Sequence, residues 1–129
     1  VSKKVLIVDD ESHIRLLLEQ TLDPLLDADV EISTADNGGA ALEAIRRERP
    51  DLVLLDVMMP VMNGFDVCRA VKSDPALRQT FVVMLTAKGQ ELDRATGAEV
   101  GADLYFTKPF DPDDVLARAA KVLGIELGG

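Results

Sequence analysis

Pro50-Asp51-Leu52-Val53-Leu54-Leu55-Asp56-Val57-Met58-Met59-Pro60 is the stretch whose reading decides the architecture. Four consecutive apolar residues, Leu52 to Leu55, end in a carboxylate, and the two prolines bound a segment too short for a typical helix. An apolar run of that length without polar alternation predicts a strand buried on both faces, as in a parallel sheet covered by helices. Asp56 then stands at the strand's carboxyl end, the edge where open α/β sheets gather ligands and chemistry. An aspartate after a strand also commonly closes a turn. What the other strand ends carry decides between the two roles.

Working outward, Val5-Leu6-Ile7-Val8 is a second buried-strand run, and it ends in Asp9-Asp10. A helix follows with Ile14, Leu17, Leu18, Thr21 and Leu22 on one face, closed by Asp23-Pro24. Val30, Ile32 and Thr34 alternate as a shorter second strand, and Asp36-Asn37-Gly38-Gly39 turns into a helix carrying Ala41, Leu42 and Ile45. Beyond the central strand, the loop Pro60-Val61-Met62-Asn63-Gly64 leads to a third helix from about Phe65 to Lys72. A fourth strand, Phe81 to Leu85, ends at Thr86-Ala87, and a fourth helix is expected over about Glu91 to Glu99, with Gly101 as its C-cap. A short strand Leu104-Tyr105-Phe106 leads to Thr107-Lys108-Pro109-Phe110. Asp111-Pro112-Asp113-Asp114 has the composition of a helix start, and Val115, Leu116, Ala119, Val122 and Leu123 supply that helix's buried face. Strict β-α alternation through five units predicts a single doubly wound α/β domain with a parallel sheet and right-handed crossovers. Residues 1–124 form that domain, and 125–129 are a tail or the start of a linker.

The 129 residues suffice for one core, and a net charge of −9 makes nucleic acid a poor direct partner. A cation or a basic protein surface suits it better. No segment has the apolar length to span a bilayer and no signal peptide opens the chain, so no membrane association and a cytoplasmic location are expected. Cys68 is the only cysteine and shares a three-residue spacing with Phe65 and Val71, which suits a packed helix face.

In this architecture the ends of the first, third, fourth and fifth strands lie side by side. They deliver Asp9-Asp10, Asp56, Thr86-Ala87 and Lys108 to one rim. Three converging carboxylates repel in a partly desolvated site unless a hard cation sits among them, and Mg²⁺ takes such ligands. Lys108 adds a mobile positive charge and Thr86 a hydroxyl donor, a set suited to holding a transferring phosphoryl group while Asp56 attacks phosphorus. Each residue alone is more simply a cap, a turn or a surface group. Four strand ends carrying the required types together are hard to assign to chance.

These motifs, Val8-Asp9-Asp10, Asp56-Val-Met-Met-Pro60 with Gly64, Thr86-Ala87, and Gly101-Ala-Asp103 followed by Lys108-Pro109-Phe110, resemble the receiver domains of two-component response regulators over residues 3 to 124. The resemblance implies a flavodoxin-like fold with strand order 2-1-3-4-5. It implies that Asp56 accepts a phosphoryl group from a sensor histidine kinase or phosphotransfer protein. Mg²⁺ would be held by Asp9, Asp10, Asp56 and the backbone carbonyl of Met58. Thr86, Ala87 and Lys108 would bind the phosphate, and the bond before Pro109 would be cis. Thr86 and Tyr105 would form a switch altering the face made by the fourth helix, fifth strand and last helix. Such a domain is not an enzyme beyond catalysing its own phosphorylation and dephosphorylation, and its output domain or target is not named by the sequence.

His13 reads as an exposed helix residue, on a surface that suits kinase docking, more readily than as a ligand. An aspartyl phosphohydrolase is the alternative, but that class places a second acid where Met58 stands and needs a cap insertion. A flavin carrier would need a phosphate-cradling loop where Asp9-Asp10-Glu11 instead repels phosphate. For self-association, Arg94, Asp114 and Arg118 match positions that pair across dimers in DNA-binding regulators, but Leu104 replaces a needed acid, and Ser73-Asp74-Pro75-Ala76 resembles receivers with other outputs. A monomer or a weak, phosphorylation-enhanced dimer is expected.

Overall fold

The computed structural model describes residues 2–87 and 100–127. Five strands, β1 (Lys3–Val8), β2 (Val30–Ala35), β3 (Leu52–Asp56), β4 (Phe81–Ala87) and β5 (Leu104–Lys108), form one sheet. All neighbours are parallel, in the order β2-β1-β3-β4-β5. The doubly wound parallel sheet expected from the alternation, and the flavodoxin-like strand order implied by the resemblance, are thus the observed ones.

The sheet separates two cores, and strand alternation decides which residue faces which. On one side Leu6, Val8, Val53, Leu55, Val82 and Met84 pack under α2 (Gly38–Glu48) and α3 (Gly64–Ser73). On the other, Val5, Ile7, Leu52, Leu54, Val83 and Leu85 pack under α1 (Ser12–Leu22) and the C-terminal helix (Pro112–Leu123). β1 and β3 bury both faces, which is why their sequences are unbroken apolar runs. β2 is an edge strand and buries only its ends, Val30 and Ala35, leaving Thr34 exposed. It is as long as β1 rather than shorter.

Helix ends follow their local chemistry. Asn37 caps α2 by accepting the N–H of Ala40 at 2.8 Å. Asn63 and Asp66 cap α3 reciprocally. Asp111 caps the C-terminal helix, with Pro112 in its first turn and Gly124 closing it at φ 70°. Two expectations shift. α1 ends at Leu22 with Asp23 as its C-cap, as expected, but the chain continues into a 3₁₀ turn, Asp23–Ala28, that buries Leu25, and Leu17 is 38 % exposed rather than buried. β5 extends two residues past Phe106 because Thr107 and Lys108 pair with Thr86 and Ala87 of β4. Cys68 is buried as expected, with Val67 and Val71 beside it and Phe65 half-buried. At the far end, Ile125 packs on the second core and donates its N–H to Ala120. The expected fourth helix, with Arg94, lies outside the described residues, as do Gly128 and Gly129. None of the described helices is long and apolar enough to cross a membrane.

Candidate functional site

The same alternation that builds the cores places the site. Asp9, Asp56 and Lys108 continue the parity of Ile7, Leu54 and Phe106, so all three emerge on the side of α1 and the C-terminal helix. Thr86 and Tyr105 have the opposite parity and share the side of Met84. Because the strands are parallel and in register, all these residues fall at or near one end of the sheet.

Ligand oxygens from Asp9, Asp10 and Asp56 lie within 4.8 Å of one another. Asp9 is fully buried and Asp56 nearly so, whereas Asp10 faces solvent. Asp9 is fixed on every side. Its Oδ1 accepts the N–H of Glu11 at 2.9 Å, its Oδ2 accepts Lys108 Nζ at 2.9 Å, and its carbonyl accepts Arg15 Nη1 at 2.7 Å. Lys108 Nζ also reaches Asp56 Oδ1 at 3.2 Å, so one ammonium bridges the two buried carboxylates. Gly64 makes the turn after β3 possible: a side chain there would overlap the carbonyl oxygen of Asp56 and stand 3.0 Å from Val57 Cα. Its N–H instead bonds the Val57 carbonyl at 2.9 Å. The Lys108–Pro109 peptide bond is cis, as expected.

Burial, and then the neighbouring charge of Asp9, pushes the Asp56 carboxyl up to about 6, with Lys108 pulling the other way. Burial alone would lower the Lys108 ammonium, but its hydrogen bond to Asp9 and the charges of Asp56 and Asp9 hold it above the ordinary lysine value. Among the described residues, one ammonium is thus shared by two buried carboxylates with a third, Asp10, beside them, which leaves this group of side chains with an excess of negative charge. All the donors are hard oxygens, a set that fits Mg²⁺ and offers nothing to a soft metal.

Every strand-end residue singled out in the sequence belongs to this rim. Thr86 is buried with 2 % exposure, and Tyr105 is half-buried against the α2–α3 core. Met58 follows Asp56 in the β3–α3 loop with an exposed side chain. His13 stays outside the cluster, with its Nε2 3.1 Å from Glu11 Oε2 on the exposed entry to α1. Asp114 and Arg118 are exposed on the C-terminal helix. Leu104 packs half-buried on the second core. Arg15 escaped the sequence reading, since nothing in a helix residue six places on signals that it will hold the Asp9 carbonyl.

Known proteins resemble this chain in sequence and in fold. The probable transcriptional regulator ycf27 of Pyropia yezoensis is 45% identical over 121 residues, covering 94% of this chain and 47% of its own. The alkaline phosphatase synthesis transcriptional regulatory protein PhoP of Bacillus subtilis (strain 168) is 41% identical over 123 residues, covering 95% and 49%. The chain therefore spans about half the length of these curated relatives. The solved structure of chemotaxis response regulator CheY4 of Vibrio cholerae superposes with a TM-score of 0.82 at 36% identity, covering 95% of this chain and 99% of that one. The family model described as the response regulator receiver domain matches residues 5–120, and with the acid rim and strand order in place, the chain belongs to the receiver domains of two-component response regulators.

Proposed function

We propose that residues 1–124 are a phosphoacceptor module in which Asp56 takes a phosphoryl group from a phosphohistidine on a sensor histidine kinase or phosphotransfer protein in the cytoplasm. Residues 125–129 would be a tail or the start of a linker toward an output domain. The observation that carries the reading is the bridging of buried Asp9 and Asp56 by Lys108 beside a third carboxylate, Asp10.

Asp9, Asp10, Asp56 and the Met58 carbonyl would hold Mg²⁺, which supplies the positive charge that lets phosphoryl oxygens approach three carboxylates. With its carboxyl at about 6, Asp56 is mostly ionised at neutral pH and available as a nucleophile. One of its oxygens forms the new P–O bond as the donor's P–N bond breaks, and the electron pair passes to the imidazole nitrogen, which takes up a proton. Lys108, 3.2 Å from Asp56 Oδ1, would follow the charge from the carboxylates to the phosphoryl oxygens. The Thr86 hydroxyl and the Ala87 backbone N–H would hold further oxygens. Tyr105 lies on the Thr86 side of the sheet, and its reorientation would carry the change to the surface of β5 and the C-terminal helix. An apolar groove of about 310 Å³ lined by Ile14, Leu17, Pro109 and Phe110 opens beside Lys108 and suits a docking helix of the donor. The acidic surface disfavours direct nucleic-acid binding by this chain, and a monomer or weak, phosphorylation-enhanced dimer is the expected state.

Incubation with acetyl phosphate and Mg²⁺ should add one phosphate that base and hydroxylamine release, as for an acyl phosphate, and Asp56→Asn should take up none. Equal labelling of that variant, or labelling unaffected by chelation, would overturn the assignment.

A further inference from the structure

The β3–α3 loop carries the Met58 carbonyl and is tied at both ends. Val57 donates its N–H to Leu85, Gly64 closes back on Val57, and Asn63 enters the α3 capping box. Between those ends Met59 alone is buried, in the core under α2 and α3, while Pro60 is exposed, Met58 is 59 % exposed and Val61 fully so. The Met62 N–H bonds only back to Pro60, within the same loop. Past Met59, the loop also comes to rest on Gly38, the first residue of α2. A side chain at Gly38 would overlap the carbonyl oxygen of Met62 and stand 2.8 Å from both its Cβ and Cγ. The first of these contacts is with backbone, so no rotamer change relieves it.

Gly38 is therefore not required by its own backbone dihedrals, which lie outside the left-handed region, but by the approach of another segment. If that approach were blocked, one partner would have to move. α2 is anchored by the Asn37 cap and by buried Ala41, Leu42, Ala44 and Ile45. Between Met58 and Met62 the loop has one buried side chain, Met59, against four on α2, so the displacement falls on the loop. Resting on the proposed Mg²⁺ site, we infer that Gly38 is a positioning residue for that site, acting through Met62 to fix the β3–α3 loop and with it the Met58 carbonyl.

Gly39 supplies the control. A side chain there would meet only Asn37 Oδ1, at 3.4 Å, and would leave Met62 untouched. Mg²⁺ affinity, measured by NMR chemical-shift titration of the unphosphorylated protein, is expected to fall about tenfold in Gly38→Ala, as for loss of a supporting contact behind a metal ligand. Gly39→Ala should bind as the wild type does. Met62→Ala, which takes away the side chain seated on α2, should weaken binding in the same direction and serves if Gly38→Ala does not fold. A folded Gly38→Ala protein with wild-type affinity, or unchanged affinity in Met62→Ala where Gly38→Ala is unfolded, would overturn the inference alone. Failure of the wild type to bind Mg²⁺ at all would overturn the proposed site and this inference with it.

Discussion

The ammonium of Lys72, in the last turn of α3, lies 2.8 Å from Oδ2 of Asp103 at the entry to β5. It also donates to the carbonyls of Arg78 at 3.0 Å and Thr80 at 2.7 Å, while the same Asp103 oxygen accepts the N–H of Val82 at 2.8 Å. One charge pair thus ties α3, the connection after it and the starts of two strands, at the end of the sheet remote from Asp56. Only 16 % of the Lys72 side chain is exposed, so its bonds are poorly replaced by water. Lys72→Met should cost about 2–3 kcal/mol in urea unfolding, since it leaves two carbonyls and a carboxylate short of a donor. Adding Asp103→Ala should cost less than the sum of the two single changes. A loss below about 0.5 kcal/mol, the size expected of an ordinary surface change, would contradict this account.

Cys68 is fully buried, with Sγ 3.5 Å from the Val100 carbonyl oxygen. Burial pushes its thiol up to about 11, with Lys72 opposing and Asp103 adding to the shift. Only the thiolate reacts, and with such a pKa it is roughly one part in a thousand of the thiol at pH 8. Maleimide or a disulfide reagent should therefore leave the native protein unmodified and label it once urea unfolds it. Fast stoichiometric labelling without denaturant would show that the helix face opens far more readily than its packing implies.

These two cases mark how far the sequence alone can be read. β1 and β3 declare themselves because burial on both faces demands unbroken apolar runs, and the C-terminal helix declares itself through Asp111-Pro112. The acid rim follows at once, since parallel strands must end together and Asp9-Asp10, Asp56 and Lys108 each directly follow or end one. The 3₁₀ turn after α1 is less visible, because Asp-Pro is as good a start for that turn as a stop for a helix. The Lys72–Asp103 pair and the seat of Met62 on Gly38 leave no local pattern at all. Each depends on where two distant segments come to rest, and periodicity carries no information about that.

Val61 adopts φ 69° at the fully exposed tip of the β3–α3 loop. A left-handed conformation costs an L-residue about 1–2 kcal/mol, and here no burial of the side chain offsets it. Glycine removes that strain but loses about 0.5–1 kcal/mol through the freedom of the unfolded chain. Val61→Gly should therefore stabilise the protein by up to about 1 kcal/mol, while Val61→Ala, which keeps a Cβ, should change little. Thermal unfolding of the three proteins side by side decides the point. A clear loss of stability in the glycine variant would mean that the valine side chain holds the loop in a way its exposure hides.

The last prediction concerns how long a phosphoryl group stays on Asp56. Hydrolysis needs a water aligned opposite the leaving carboxylate, and a nearby side chain commonly orients it. By resemblance to other receivers, the positions that tune this step lie two residues after the phosphoacceptor and two after the switch threonine. Here they are Met58 and Lys88, the second outside the described residues. Met58 projects from the loop beside Asp56 and offers only a weak thioether acceptor, so it cannot fix a water as an amide does. Lys88 is a donor with no acceptor, so it cannot draw a proton from the attacking water. The expected result is slow self-hydrolysis, with the signal ended mainly by the kinase or a separate phosphatase. Met58→Asn combined with Lys88→Glu should speed loss of phosphate by about tenfold, roughly 1.4 kcal/mol of barrier. Single-turnover decay after removal of the phosphodonor measures it, with Met58→Asn alone expected between the two. An unchanged decay in the double variant would place the control of lifetime in access of water to Asp56 rather than in its orientation.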